Sequence, residues 1–366
     1  MLFDITPKDN IKDLFGREKE ILLLKRCVTE PLTVIYGIRR TGKTSLLKSV
    51  LNYIEMPYII IDIRELFNES GTIRENEISL KILNELKKNM RISQKLKFSI
   101  ADILSKINGI EINHFKIDID TSKKYKLNNI LEIINEISQK NNNIFILAID
   151  EAQYLKYSGK RYNNVLAWAY DNLKNIHIII TGSEIGILED FIDIENTESP
   201  LFGRMINEIK IDHFDNNVSY NFLKSGFEEA GLNINDNDVN SAIDVLDGIA
   251  GWLTYYGYNR TVRKLNNYNS INNVIEYSKR LIDSEINKLI NNSRDRYMAI
   301  MEAIAAGLNN WSTIRAYVAS KTGYISSTIL NNHIIKLLKY GFIKKSENKY
   351  YIEDPLIKLK FINKNK

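Results

Sequence analysis

The chain has 366 residues, 44% of them hydrophobic and 26% charged, which excludes disorder as the main state and leaves length for two or three domains. Five prolines, 17 glycines and one cysteine exclude collagen-like or proline-rich linker architectures and any internal disulfide, and they suit a reducing, cytoplasmic compartment. The net charge of +5 is unevenly placed: from residue 294 onward 13 lysines and arginines stand against five carboxylates, net +8, so the rest of the chain is left at −3.

A basic end of this kind suits a polyanion, with a solvated lysine-rich face as the plainer alternative. No apolar run approaches the roughly 20 residues that span a bilayer, and Met1-Leu2-Phe3-Asp4 lacks the basic start of a signal segment. An intracellular protein with no membrane partner is expected.

Apolar runs alternate with helical patterns through about the first 210 residues, the signature of a parallel sheet covered by helices. Leu32 to Tyr36 is the first run and Tyr58 to Asp62 the second, each as continuously apolar as a strand buried on both faces. Between them Gly37-Ile38-Arg39-Arg40-Thr41-Gly42-Lys43-Thr44 matches G-x-x-x-x-G-K-[ST] in full. Glycines let such a loop curl so that successive backbone N–H groups face phosphate oxygens, and the helix expected over Ser45 to Tyr53 adds its positive end. Gly37, Ile38, Arg39, Arg40, Thr41, Gly42, Lys43 and Thr44 are therefore the candidate nucleotide-binding residues. Lys43 would reach the β- and γ-phosphates and the Thr44 hydroxyl would hold Mg²⁺.

A long, mostly helical insertion (68–128) follows, with an alternating stretch around His114-Phe115 that reads as a small hairpin and carries no recognisable chemistry. The third run, Ile144 to Asp150, ends in Asp150-Glu151. A strand-terminal carboxylate suits the shell of a magnesium ion, and its neighbour suits polarising an attacking water. Asp150 is accordingly the candidate metal residue with Thr44, and Glu151 the candidate catalytic base. The pair favours hydrolysis over transfer to an acceptor. His177 to Thr181 is the fourth run, and Thr181-Gly182-Ser183 places two hydroxyls near a γ-phosphate. Spacing does not separate them, and Ser183 is carried forward as the candidate catalytic residue. Met205 to Ile211 alternates imperfectly and reads as a fifth strand.

From 214 to 292 the spacing is helical. After 293 it reads as three helices, Tyr297 to Ala306, Ser312 to Ser320 with Ser312 as N-cap, and Ser326 to Tyr340, followed by a hairpin over residues 341–352: a winged helix-turn-helix layout. The four histidines have no thiol or carboxylate at ligand spacing, so no protein-built zinc site is expected.

With these motifs the chain resembles the archaeal ATPase family within the AAA+ and STAND group of nucleotide-dependent switches. The carrying residues are Phe15-Gly16-Arg17-Glu18, Gly37 to Thr44, Asp150-Glu151-Ala152-Gln153, Thr181-Gly182-Ser183, Ser199-Pro200-Leu201-Phe202-Gly203-Arg204, Gly248-Ile249-Ala250-Gly251-Trp252-Leu253 and Tyr351-Ile352-Glu353-Asp354-Pro355-Leu356. The resemblance implies an α/β fold: a P-loop NTPase sheet domain (1–213), a helical lid (214–292) and a winged helix domain (293–366). It implies that Phe15, Gly16 and Arg17 lie near adenine, and that Arg204 is a catalytic residue sensing the γ-phosphate of its own subunit or a neighbour's. It further implies that Ala250 stands where such switches carry a base-contacting proline. The implied activity is ATP hydrolysis with ATP and Mg²⁺, slow without a protein partner, driving a conformational switch. The alternative is an ATP-regulated DNA-binding protein whose third winged-helix helix offers Ser327, Thr328, Asn331, Asn332, His333 and Lys336 to duplex DNA.

Overall fold

The computed structural model describes residues 1–92, 97–113, 116–159, 161–183, 185–289 and 293–362. In chain order the strands are β1 (Leu32–Tyr36), β2 (Tyr58–Asp62), β3 (Ile110–Asn113), β4 (Lys116–Ile119), β5 (Phe145–Asp150), β6 (Ile176–Gly182), β7 (Asn207–Lys210), β8 (Lys344–Ser346) and β9 (Lys349–Tyr351). Five of them form one parallel sheet in the order β2-β5-β6-β1-β7. Successive side chains of a strand face opposite sides, and both sides are covered here. Leu32, Val34, Leu147, Ile149, Ile178 and Ile180 pack beneath helices that include Leu127–Lys140 and Tyr162–Asn172. Ile35, Ile146, Ala148, Ile179 and Ile209 pack beneath the helices Glu18–Cys27 and Lys43–Tyr53. That double burial is why these strands read as unbroken apolar runs.

β7 is shorter than the run expected from residue 205, because it is the sheet edge and pairs only with β1. The helix after the loop begins at Lys43, two residues before the expected Ser45, since Gly42 at φ 101° already turns the chain into it. Within the insertion, β3 and β4 form the expected antiparallel hairpin, while His114 and Phe115 lie outside the described residues.

Four helices follow the sheet: Asn216–Glu229, Asp236–Leu246, Ala250–Thr261 and Asn267–Leu289. Gly248 lies where the backbone of Phe214 passes, and a Cβ there would stand 1.8 Å from the Phe214 carbonyl oxygen, so only glycine fits. Arg294–Ala305, Trp311–Thr322 and Ser327–Lys339 are the three helices of the C-terminal segment, and β8 and β9 are its wing. The tip residues Glu347 and Asn348 have φ of 48° and 63°, the left-handed pair that a two-residue hairpin turn of type I′ requires.

Three details depart from the sequence reading. Asn310, not Ser312, occupies the cap position of the second helix. His333 faces inward and stacks on Tyr297 at 4.3 Å between ring centroids, so it is not presented to a ligand. A further helix, Pro355–Ile362, follows the wing and buries Leu356, Ile357 and Phe361. One apolar cluster runs from Phe3 and Ile38 through Phe222, Trp252 and Ile300 to Phe361, joining the post-sheet helices to the C-terminal segment. Among the described residues no helix is long and apolar enough to cross a membrane.

Candidate functional site

The loop from Gly37 to Thr44 leaves the carboxyl end of β1 and curls through three left-handed residues, Gly37 (φ 156°), Arg40 (φ 69°) and Gly42 (φ 101°). A Cβ on Gly37 would meet the Ile211 carbonyl oxygen at 2.3 Å, so the motif's first glycine is fixed by packing as well as by curvature. Thr41 ties the loop internally by donating its hydroxyl to the Ile38 carbonyl at 2.9 Å. The Lys43 ammonium lies buried under the loop and donates to the Gly37 and Ile38 carbonyls at 2.8 and 2.7 Å. Burial pushes its pKa down from 10.5 to about 8, against the opposing pull of Glu151.

The ends of β5 and β6 bring the acidic and hydroxyl residues alongside. Thr44 donates its hydroxyl to Asp150 Oδ2 at 2.8 Å, and Thr181 donates to Asp150 Oδ1. Ser183 donates to Glu151 Oε2 at 2.7 Å. The two hydroxyls that spacing could not separate thus serve different carboxylates. Thr181 also accepts the Glu151 backbone N–H at 3.2 Å, and Glu151 itself sits in the left-handed region at φ 55°.

The adjacent carboxyls titrate in opposite senses. Burial raises Asp150 above its ordinary range despite hydrogen bonds from Thr181 and Thr44. Burial would raise Glu151 too, but the charges of Lys43 and Arg64, with hydrogen bonds from Gln153 and Ser183, carry it below its ordinary range. Glu151 is therefore a carboxylate at neutral pH.

Thr44 and Asp150 present hard oxygens within hydrogen-bond distance of each other at the mouth of the helix Lys43–Tyr53. Among the described residues no three His, Cys, Asp or Glu side chains cluster as a complete metal cage. This sparse donor set fits magnesium, which takes one or two protein oxygens and completes its octahedron with phosphate and water.

The loop, Lys43, Thr44, Arg64 and Glu151 line one cleft of about 570 Å³, which continues past Phe15 and Arg17 to Ala250, Tyr255 and Tyr277. Phe15 packs edge-on against Phe222. Arg17 braces the loop from behind, donating to the Thr41 and Asp212 carbonyls at 3.1 and 2.8 Å while its guanidinium lies 4.5 Å from the Phe214 ring centroid. Gly16, at φ 63°, lies so close to Val218 that a Cβ would approach it to 2.6 Å. Ala250 opens the helix Ala250–Thr261 on the far wall.

Arg204 is not brought to this cleft within its own chain. It precedes β7, whose Asn207 pairs with Thr33 near the start of β1, so it stands at the sheet's amino edge, opposite the loop. There its guanidinium grips Asp171 through Nε at 3.0 Å and Nη2 at 2.5 Å.

Two neighbours of the carboxylates have no role assigned by the sequence, although Gln153 stands in the Asp150-Glu151-Ala152-Gln153 motif. Gln153, fully buried, donates its amide to Glu151 and to Ser183. Gly182 makes room for it, since a Cβ there would stand 2.9 Å from Gln153 Oε1. Arg64 bonds Asp62 at 3.2 Å and reaches Glu151 Oε1 at 3.6 Å. The available signal was positional: Asp62 ends β2 in register with Asp150, and Arg64 follows two residues later.

Comparison with known proteins agrees with this architecture. A family described as an ATPase domain predominantly from Archaea matches residues 14–255, and the C-terminal winged helix-turn-helix domain of MCM proteins matches residues 291–353. Among solved structures, the chain is similar to the Walker-type ATPase of Pyrococcus abyssi, with 37% identity over 99% of each chain and a TM-score of 0.85. It is also similar to the ORC2 protein of Aeropyrum pernix in its ADPNP-ADP complexes, with 14% identity over 100% of this chain and 98% of that one and a TM-score of 0.58, a likeness of fold. No curated protein matches significantly.

Proposed function

The chain belongs to the family of ATPase domains found predominantly in Archaea, and from that premise we propose that it binds and hydrolyses ATP as a nucleotide-dependent conformational switch. One observation carries the reading: the phosphate loop with Lys43 and Thr44 lines one cleft with Glu151, the post-sheet helices form its other wall, and Asp150 and Ser183 lie buried behind it, hydrogen-bonded to Thr44 and Glu151. In this proposal residues 1–213 form the P-loop ATPase domain, 214–292 the helical lid and 293–366 the winged helix domain.

Loop N–H groups and Lys43 hold the phosphates, and Phe15, Arg17, Ala250 and the residues around them frame the base and ribose. Thr44 and Asp150 would hold a magnesium ion, which would supply charge neutralisation at the transferring phosphoryl group. Glu151 orients and deprotonates the attacking water, held in place by Ser183 and Gln153. On this reading Arg204 acts on a neighbouring subunit's nucleotide, because its own cleft is at the opposite sheet edge.

The test is phosphate release from Mg·ATP, with Glu151→Gln as the blank and duplex DNA present or absent. Turnover well above the blank is expected, and its absence would remove the hydrolase reading. A second reading, ATP-regulated DNA binding, is favoured by the match to a winged helix domain and by the exposure of Ser327, Thr328, Asn331 and Asn332 on the helix Ser327–Lys339. Stimulation by DNA would select it. Slow hydrolysis indifferent to DNA would select a switch awaiting a protein partner.

Nucleotide affinity should also depend on pH with a definite sign. The free protein holds Lys43 with a pKa of about 8, below its ordinary 10.5, whereas a bound phosphate favours the charged form. ADP affinity, measured by calorimetry, is expected to fall as pH rises through about 8, by up to about tenfold per unit above it. Folding stability should move the other way. The folded ammonium releases its proton more readily than the unfolded one, so its burial cost, complete below pH 8, fades between about 8 and 10.5. An affinity flat to pH 9.5 would place the ammonium out of contact with phosphate.

A further inference from the structure

Two segments without a catalytic assignment, Gly251-Trp252 and Asp354-Pro355, meet beside the phosphate loop. The Trp252 indole N–H donates to Asp354 Oδ2 and Oδ1 at 3.1 and 3.3 Å, with both residues buried. The same carboxylate caps the helix Pro355–Ile362, accepting the Leu356 backbone N–H at 2.9 Å. Arg40 of the loop lies over this junction, its guanidinium carbon 4.4 Å from the Trp252 ring centroid. Its Nη2 pairs with Glu285 Oε1 at 2.7 Å and its Nη1 stands 3.9 Å from Asp354 Oδ2. Its own carbonyl accepts the Gly251 N–H at 2.9 Å. The preceding residue reaches the same domain from another side: Arg39 donates to the Tyr340 carbonyl at 3.2 Å, just past the end of the helix Ser327–Lys339.

Phosphate chemistry does not explain these side chains, because a phosphate loop binds through its backbone, lysine and hydroxyl. Both arginines line the cleft and also reach the lid and the winged helix, Arg40 from a left-handed backbone position inside the curl. A buried carboxylate that loses its cationic neighbour is strongly disfavoured, so a change in the loop at Arg40 must be answered at Asp354.

We propose that Arg40 is the positioning residue that couples the phosphate loop to the winged helix, so that nucleotide occupancy sets how Asp354 and the helix Pro355–Ile362 are seated. The inference rests on the nucleotide reading above and adds to it the path of the switch. Glu285 at the end of the helix Asn267–Leu289, Trp252 in the lid and Asp354 after the wing are its three receivers.

Hydrogen exchange on the full chain, with and without Mg·ADP or a slowly hydrolysed Mg·ATP analogue, tests it, with calorimetry reporting affinity in parallel. In the wild type, protection of residues 349–362 is expected to change on nucleotide binding. Asp354→Asn keeps one oxygen that can accept from both Leu356 and Trp252, as Oδ1 does, and replaces the other by an amide NH2, which removes the charge. It is expected to bind ADP within about threefold of wild type while the exchange response falls at least about fivefold, the lower range of ordinary coupling. If the amide impairs folding, Glu285→Gln removes Arg40's other partner and should blunt the response in the same way. A response of wild-type size in either folded variant, or none in a wild type that binds nucleotide, overturns the coupling alone. A wild type that binds no nucleotide overturns the coupling and the nucleotide reading together.

Discussion

Lys43→Ala is expected to lose about 10²- to 10⁴-fold in ADP and ATP affinity, the loss that follows when two charge-assisted hydrogen bonds of about 1.5–3 kcal/mol each disappear. The side chain is placed for this effect and little else. It lies buried under the loop, its donors satisfied by the Gly37 and Ile38 carbonyls, 2.8 and 2.7 Å away. Its pKa is pushed below the ordinary value by burial, which means that holding the charge there costs the free protein more than those carbonyls and Glu151 return. Removing it should therefore leave the unliganded fold about as stable, and Glu151 keeps Arg64 as a cationic neighbour. The effect should appear only with ligand: the wild type gains stability with added nucleotide as mass action requires, and the variant does not. Calorimetry and ligand-dependent melting check this, and unchanged affinity in Lys43→Ala would remove the nucleotide site from this loop.

The elements of this site differ in how plainly the chain spells them. The phosphate loop is contiguous and its chemistry is local, so Gly37 to Thr44 could be read with no fold in hand. Asp150 and Glu151 were legible because a strand buried on both faces is an unbroken apolar run, and the first carboxylates after it stand at the sheet's carboxyl edge. Thr181 and Ser183 shared such an edge two residues apart. What separates them is that one meets Asp150 and the other Glu151, a fact of the pairing of β5 with β6. Gln153 stood in the motif that begins at Asp150 without a role and Arg64 in none, because both act through a contact with Glu151 that only the fold makes. Arg39 and Arg40 fill positions that the loop motif leaves open, so no local rule assigns them, and their contacts with Glu285, Tyr340 and Asp354 all reach past residue 250. The helix Pro355–Ile362 is short and packs several of its faces, so it lacks the polar stripe that marks a longer helix. Arg204 carried an expectation from family position alone. The strand register puts it at the wrong edge for its own cleft, and chain order gave no hint of that.

Glu151→Gln separates binding from chemistry, and its expected result is retained nucleotide affinity with turnover lower by about 10²- to 10⁴-fold, the range for loss of a general base. Glutamine fills the same volume, and its carbonyl oxygen can still accept from Ser183 or Gln153, so the cleft should keep its shape. What disappears is the negative charge. Burial alone would raise Glu151, yet Lys43 and Arg64, helped by Gln153 and Ser183, hold it below the ordinary carboxylate range, so the wild-type base is ionised throughout the neutral region. The acidic limb of the turnover profile should accordingly fall below pH 4.5, and no loss of activity from this group is expected between pH 6 and 8. Asp150 cannot replace it. Burial raises that carboxyl, and its two oxygens are engaged by Thr44 and Thr181, the arrangement of a metal-holding residue rather than a free base. Single-turnover phosphate release in Glu151→Gln, with ADP affinity measured on the same sample, decides the matter. Near-normal turnover would assign water activation elsewhere in the cleft, whereas loss of affinity along with turnover would mean that Glu151 supports the loop through Lys43 rather than acting on water.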